Sequence, residues 1–203
     1  MTQDEIIQSF ERSGVILKGH FLLSSGLHSD MYMQCAKVFE NPLLAMKLCE
    51  QLCENIRKHF YKDGKKSEFN LIVSPAIGGI VAGYEVARQL LCKNCFVERV
   101  DNIFTLRRGF EILPEDKVLI VEDVITTGKS TMEAAKVVES FGAKVVGVAC
   151  LVDRISGENL KSFTYKENLV SLVKMEIETY AADNLPQHLR NTEAIKPGSR
   201  KIV

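Results

Sequence analysis

The sequence is defined first by what it lacks. It has no excess of either charge: Lys plus Arg and Asp plus Glu are both 26. A general nucleic-acid binder usually shows a basic surplus, so that class is set aside, and any phosphate site must be local. No apolar run approaches the length of a membrane span. The N-terminal stretch MTQDEIIQSFERSG is polar and carries no apolar signal core, so a cytoplasmic location is expected. The four histidines are scattered and form no HxxH or HExxH group. Of six cysteines, only Cys92 and Cys95 have metal-like spacing, and no second such pair completes a zinc site. No metal-ligating residue is therefore named, and the cysteines read as reduced thiols.

What is present is enough for a real core. A chain of 203 residues fits one domain, or one domain with a small lobe. Such a chain buries roughly 70% of its unfolded surface. Thr2 and Glu5 form a capping box that predicts a first helix running to Gly14. Residues 15–34 alternate apolar runs with Gly-Ser turns and read as short strands of a small N-terminal lobe. Asn41-Pro42 then starts a helix with an apolar stripe at Leu44, Leu48, Leu52 and Ile56. A polar loop follows at 63–67.

From residue 71 the pattern repeats as strand, loop, helix. Leu71–Val73 reads as a buried strand, 74–79 as a loop, and Ile80–Leu91 as a helix. Residues 95–100 and 103–107 read as a hairpin around Asp101-Asn102. Val118–Val121 is an apolar strand, 131–141 a helix, 145–152 and 169–173 further strands. Units of this kind predict an α/β fold with a mainly parallel sheet flanked by helices. The expected organisation is a single domain over 1–203, with about 1–40 forming the lobe. The tail, around 196–200, reads as turns.

One stretch carries the chemistry. Residues 118–131 read VLIVEDVITTGKST. The tail of this stretch suits a P-loop, but Asp123 stands where that motif needs its first Gly. Glu122 and Asp123 follow the apolar strand, so they face the crevice at the carboxyl end of a parallel sheet. Gly128 permits close backbone approach, and the following helix start offers N–H donors to an anion. Thr126, Thr127, Ser130 and Thr131 add hydroxyls. The acids cannot hold the phosphate, because like charges repel. They suit hydroxyl groups, which donate to carboxylates. Acids for a diol and a hydroxyl-lined nest for a phosphate match a ribose 5-phosphate. The plainer reading is a capped helix after a strand with an exposed acidic pair.

This stretch resembles the phosphoribosyl-pyrophosphate (PRPP) signature of the type I phosphoribosyltransferases. The resemblance implies their α/β fold with a hood over the active site. It implies PRPP binding by Glu122, Asp123, Val124, Ile125, Thr126, Thr127, Gly128, Lys129 and Ser130, with the two acids on the ribose hydroxyls. Other segments resemble the orotate branch of the family, in its short-looped bacterial and archaeal form. Gly19–Ser29 with Met31–Gln34 resembles the N-terminal lobe, Ala76, Ile77, Gly78 and Gly79 the pyrophosphate loop, and Leu151–Arg154 the segment whose arginine faces the orotate carboxylate. Phe104–Phe110 and the closing Lys196–Arg200 resemble the same branch.

That resemblance implies a magnesium-dependent pentosyltransferase of pyrimidine biosynthesis, acting on PRPP and orotate, with no nucleic acid or membrane partner. It implies a homodimer with shared active sites. Arg154 suits a carboxylate through two bonds. Thr126, Ser25 and Gly26 are further orotate candidates, and Tyr32 would close over the ring or serve the lobe's core. Two departures stand out: Gly78 replaces a lysine of the longer-looped relatives, and 96–116 holds no lysine or histidine of a mobile catalytic loop. Arg99 best matches the arginine that reaches pyrophosphate, and with Glu122 and Asp123 completes the catalytic set. Arg107 and Arg108 are weaker candidates. A transferase for another base, and a PRPP-sensing regulator without turnover, remain as alternatives.

Overall fold

The computed structural model describes residues 1–23, 25–61 and 69–196. The polar loop read at 63–67 and the closing turn from 197 lie outside the described residues. Helix α1 (Gln3–Arg12) starts at the capping box, with Thr2 and Glu5 satisfying each other's backbone N–H. Strands β1 (Ile16–Leu22) and β2 (His28–Met33) form a two-stranded antiparallel sheet, the hood. A short 3-10 turn at Cys35–Glu40, absent from the sequence reading, leads to α2 (Pro42–Phe60). Asn41 caps α2 through Leu44 N, and Pro42 takes the first helical position.

The main sheet then builds from β3 (Leu71–Pro75), α3 (Gly79–Leu90), β4 (Lys93–Val100), β5 (Ile103–Leu106), β6 (Lys117–Ile125), α4 (Lys129–Ser140), β7 (Lys144–Asp153), α5 (Gly157–Ser162) and β8 (Leu169–Lys174). Its strand order is β5-β4-β3-β6-β7-β8, parallel except for the β4–β5 hairpin. Asp101 and Asn102 turn that hairpin with φ of 49° and 64°. A two-residue turn with both φ positive matches the natural twist of the strands.

Both faces of the sheet are covered, which is why its strands are apolar on both sides. On one face α2 and α3 pack Leu48, Leu52, Ile56, Ala82 and Val86 onto Ile72, Leu119 and Leu151, with Phe10 of α1 in the same core. On the other, α4 packs Ala134 and Val138 onto Val73, Ile120 and Val148. The stripe expected on α2 is the core side of that helix, with Leu48, Leu52 and Ile56 fully buried.

Two boundaries differ from the sequence reading in a way that matters. Strand β6 does not stop at Val121: it stays paired with β7 to the Ile125–Asp153 position. Continued backbone pairing with β7 outweighs the polarity of Glu122 and Asp123. Helix α4 also begins earlier, at Lys129, on the Gly128 cap.

The hood is strapped from outside by the tail. Ile195 exchanges backbone bonds with His20 and Leu22, at 2.8 and 2.9 Å, and Tyr180 exchanges two with His28, each 2.8 Å. The His20 ring adds Nδ1 at 2.9 Å from Thr192 O and Nε2 at 2.6 Å from His28 Nδ1. The expected lobe of 1–40 is thus completed by residues 180–195.

Candidate active site

Successive side chains of a strand point to opposite faces, so Glu122 and Asp123 diverge. Glu122 turns under α4 and is 7% exposed. It accepts a hydrogen bond from Thr131 Oγ1. Burial, with Asp123 beside it, pushes its carboxyl up to about 7 against the pull of that hydroxyl. Thr131, read from the sequence as a hydroxyl for phosphate, is fully buried and serves Glu122 instead. Asp123 turns toward α3 and is half-buried. Burial raises its carboxyl too, opposed by the backbone N–H groups of Val124 and of Asp123 itself.

The segment from Ile125 to Thr131 curls into a cup of about 40 Å³, closed by Glu122 and Val124. Gly128 caps α4 with φ 76°. A Cβ there would stand 2.7 Å from Phe163 Cδ2, so glycine is required by both conformation and space. Thr126, Thr127 and Lys129 are exposed at the rim. The first N–H groups of α4 have no intrahelical acceptor, and the helix dipole adds positive character at this end. A helix start of this kind favours an anion.

The loop Ala76–Gly79 joins β3 to α3 beside it. Ala76 N donates to Val97 O at 2.8 Å, and the Ala76–Ile77 peptide is cis. Gly78 lies directly over Asp123: a Cβ on it would meet both carboxylate oxygens at 2.7 Å. Gly79 is pressed on Val121 O, at 3.0 Å by the same measure.

Arg154 follows β7 on the other side of the cup. Its N–H donates to Ile125 O at 2.8 Å, tying it to the start of the cup. The side chain is half-buried, and its Nε is buried without a hydrogen-bond partner. Loss of water lowers its pKa, while Cys35 and Tyr32 nearby act to raise it. Tyr32 lies on β2, so the hood comes within electrostatic reach of Arg154. Cys35, whose thiol burial pushes up to about 12, lies within electrostatic reach of both Asp123 and Arg154. Ser25 and Gly26 form the exposed tip between β1 and β2, where Gly26 has φ 81° and Ser25 Oγ accepts from Leu27 N at 3.4 Å.

The hairpin arginines are engaged elsewhere. Arg99 pairs with Glu133 of α4 at 2.5 Å, donates to Asn102 O at 2.6 Å, and stacks 4.1 Å over the Phe104 ring. Arg108 makes two bonds to Glu98, at 3.0 and 2.9 Å. Arg107 stands 3.8 Å from the same carboxylate. A larger cavity of about 360 Å³ lies between the hood and the tail, near His20 and His188, and holds none of the expected site residues. Sequence reasoning missed Cys35, which had no local signal, and Asp153, an acid at a strand end next to Arg154.

Comparison with known proteins agrees with this architecture. The phosphoribosyl transferase domain family matches residues 38–181. An orotate phosphoribosyltransferase of Maricaulis maris is 44% identical over 203 residues, covering both chains completely. One of Parvibaculum lavamentivorans is 45% identical with the same coverage. Among solved structures, orotate phosphoribosyltransferase from Aeropyrum pernix superposes with a TM-score of 0.70 at 23% identity, over 84% of this chain and 93% of that one. Adenine phosphoribosyltransferase from Saccharomyces cerevisiae gives 0.62 at 17%, over 84% and 99%. The distant structures carry the type I fold alone; the relatives matched from end to end go further, and the chain belongs to the orotate phosphoribosyltransferase family.

Proposed function

We infer that this chain transfers ribose 5-phosphate from PRPP to N1 of orotate, giving orotidine 5-phosphate and pyrophosphate for pyrimidine biosynthesis. One relationship carries the assignment of the site. Strand β6 delivers Asp123 and then the anion cup within a few residues, and Arg154 is tied to that same segment through Ile125 O.

The 5-phosphate sits in the cup, bound by the α4 N–H groups and by Thr126, Thr127 and Ser130. Each hydrogen bond to its charged oxygens contributes about 1.5–3 kcal/mol. Asp123 accepts from the ribose hydroxyls at the mouth. Glu122, adjacent but turned inward, is held by Thr131 through one carboxylate oxygen and is the second acceptor for the ribose hydroxyls. The pyrophosphate lies along Ala76–Gly79, where glycine lets the backbone approach closely. Arg154 takes the orotate carboxylate, with Thr126, Ser25 and Gly26 at the ring's edge.

The C1–O bond breaks with its electron pair leaving on pyrophosphate, N1 bonds to C1 on the opposite face, and the N1–H bond breaks with its proton passing to the departing pyrophosphate oxyanion. Positive charge develops on the ribose between these events. Asp123 lies close enough to stabilise it, and positioning supplies most of the rest. Among the described residues no three His, Cys, Asp or Glu groups converge on a metal position. Magnesium, which keeps its waters and uses few protein ligands, would supply charge to the leaving pyrophosphate when bound. Asp123 would hold it only through the ribose.

Helix α3 presents Val81 and Tyr84 outward, with Ile77 in the loop before it and Leu91 at its C-terminal cap, all four exposed. A stripe of this kind supports a homodimer in which a second copy covers it. Among the described residues no helix is long and apolar enough to cross a membrane; the six cysteines are free thiols, as in a reducing compartment such as the cytoplasm. The test is stoichiometry: pyrophosphate must appear in step with orotate loss, and chelating magnesium must stop both. Orotate loss without pyrophosphate would refute the transfer.

A further inference from the structure

We propose that Asp153 is a positioning residue that aims Arg154 at the acceptor; this rests on the reading of Arg154 given above. Asp153 ends β7 and is 6% exposed. Its Oδ1 accepts the N–H of Ile155 at 2.8 Å in a buried setting. Its own carbonyl accepts Met175 N at 2.8 Å. Between these bonds, Arg154 N donates to Ile125 O. Asp153 O, Arg154 N and Ile155 N are thus all pinned, and the side-chain clamp on Ile155 fixes the turn itself. An aspartate bonding the backbone two residues on is the usual way to hold such a turn.

The guanidinium needs that help. Arg154 Nε is buried without a hydrogen-bond partner, so that atom does not fix the side chain's direction. The direction is inherited from the backbone, and hence from Asp153. Ile155, on the same turn, is fully buried and lies 3.4 Å from where a Gly128 Cβ would stand. Phe163 props Gly128 independently, at 2.7 Å by the same measure. The phosphate cup therefore has a second support, while the Asp153 clamp acts on the turn that carries Arg154. Losing the clamp should fall harder on orotate than on PRPP.

The experiment compares Asp153→Ala, Asp153→Asn and Arg154→Ala in the full chain, measuring kcat and both KM values. Asp153→Ala is expected to raise the orotate KM about tenfold, a share of what a charged hydrogen bond contributes, and to change the PRPP KM less. Asp153→Asn keeps the Oδ1 acceptor and is expected to recover most of the loss. If Asp153→Ala does not fold, Asp153→Ser replaces it: its weaker hydroxyl clamp should give an orotate KM above that of Asp153→Asn. An unchanged orotate KM in Asp153→Ala, beside a raised one in Arg154→Ala, overturns the proposal alone. Equal rises in both KM values, or no recovery with Asn, overturn it as well. An unchanged orotate KM in Arg154→Ala overturns the acceptor reading and the proposal together.

Discussion

The Asp123 carboxylate lies directly beneath Gly78, with both oxygens 2.7 Å from the point where a Cβ on residue 78 would stand. A side chain at 78 and this placement of the carboxylate exclude each other. Gly78→Ala should therefore displace Asp123 and raise the PRPP KM about tenfold or more, the scale of one charged hydrogen bond. Steady-state kinetics at saturating orotate checks this; an unchanged PRPP KM would separate residue 78 from the donor site.

Asp123→Asn keeps the shape and removes the charge. Removing one well-placed electrostatic group from a reaction centre costs about 10²–10³ in kcat. A loss of that order is expected, with a thermal midpoint at or above that of the wild type, because burial disfavours the ionised form of Asp123. Wild-type activity in this variant would remove Asp123 from the ribose.

Glu122 makes stability depend on pH. Burial raises its carboxyl from the ordinary 4.5 to about 7. Between those values the folded protein keeps a proton that the unfolded chain has released. Its contribution is fully present below 4.5 and is lost as pH rises through 7. From about pH 4 to about pH 8 the wild type should lose roughly 3 kcal/mol relative to Glu122→Gln. Denaturant unfolding of ligand-free protein at both pH values tests the slope; parallel curves would contradict it.

Arg99 must leave Glu133 to reach a pyrophosphate. If Arg99 serves pyrophosphate, as the family resemblance implies, Glu133→Gln frees the guanidinium and lowers the PRPP KM, whereas Arg99→Ala raises it. If instead Arg99→Ala leaves the PRPP KM alone and only lowers the thermal midpoint, the pair is structural.

Much of this was legible locally. The capping box at Thr2, the Asn41-Pro42 start of α2, the Asp101-Asn102 turn and the loop through Gly128 are short-range signals, and each forms as its residues require. What escaped is non-local. The pairing of β6 with β7 sets Glu122 and Asp123 on opposite faces, and no feature of VLIVEDV announces where that pairing stops. Thr131 looked like one more phosphate hydroxyl until the strand's register put Glu122 beside it. The tail's grip on the hood joins residues more than 150 positions apart, at His20 and Tyr180–Ile195 contacts that periodicity cannot reveal. Helix α5 is short and has no buried residue, so it left no apolar stripe to find.

The central claim is tested most directly by an acceptor panel. Purified protein is mixed with magnesium, PRPP and orotate, and loss of orotate absorbance is followed, with uracil, adenine, guanine and hypoxanthine in parallel. Turnover confined to orotate is the predicted result. Turnover of a neutral base instead would leave the PRPP cup standing and contradict the acceptor role of Arg154, and PRPP binding with no turnover of any base would contradict the enzyme itself.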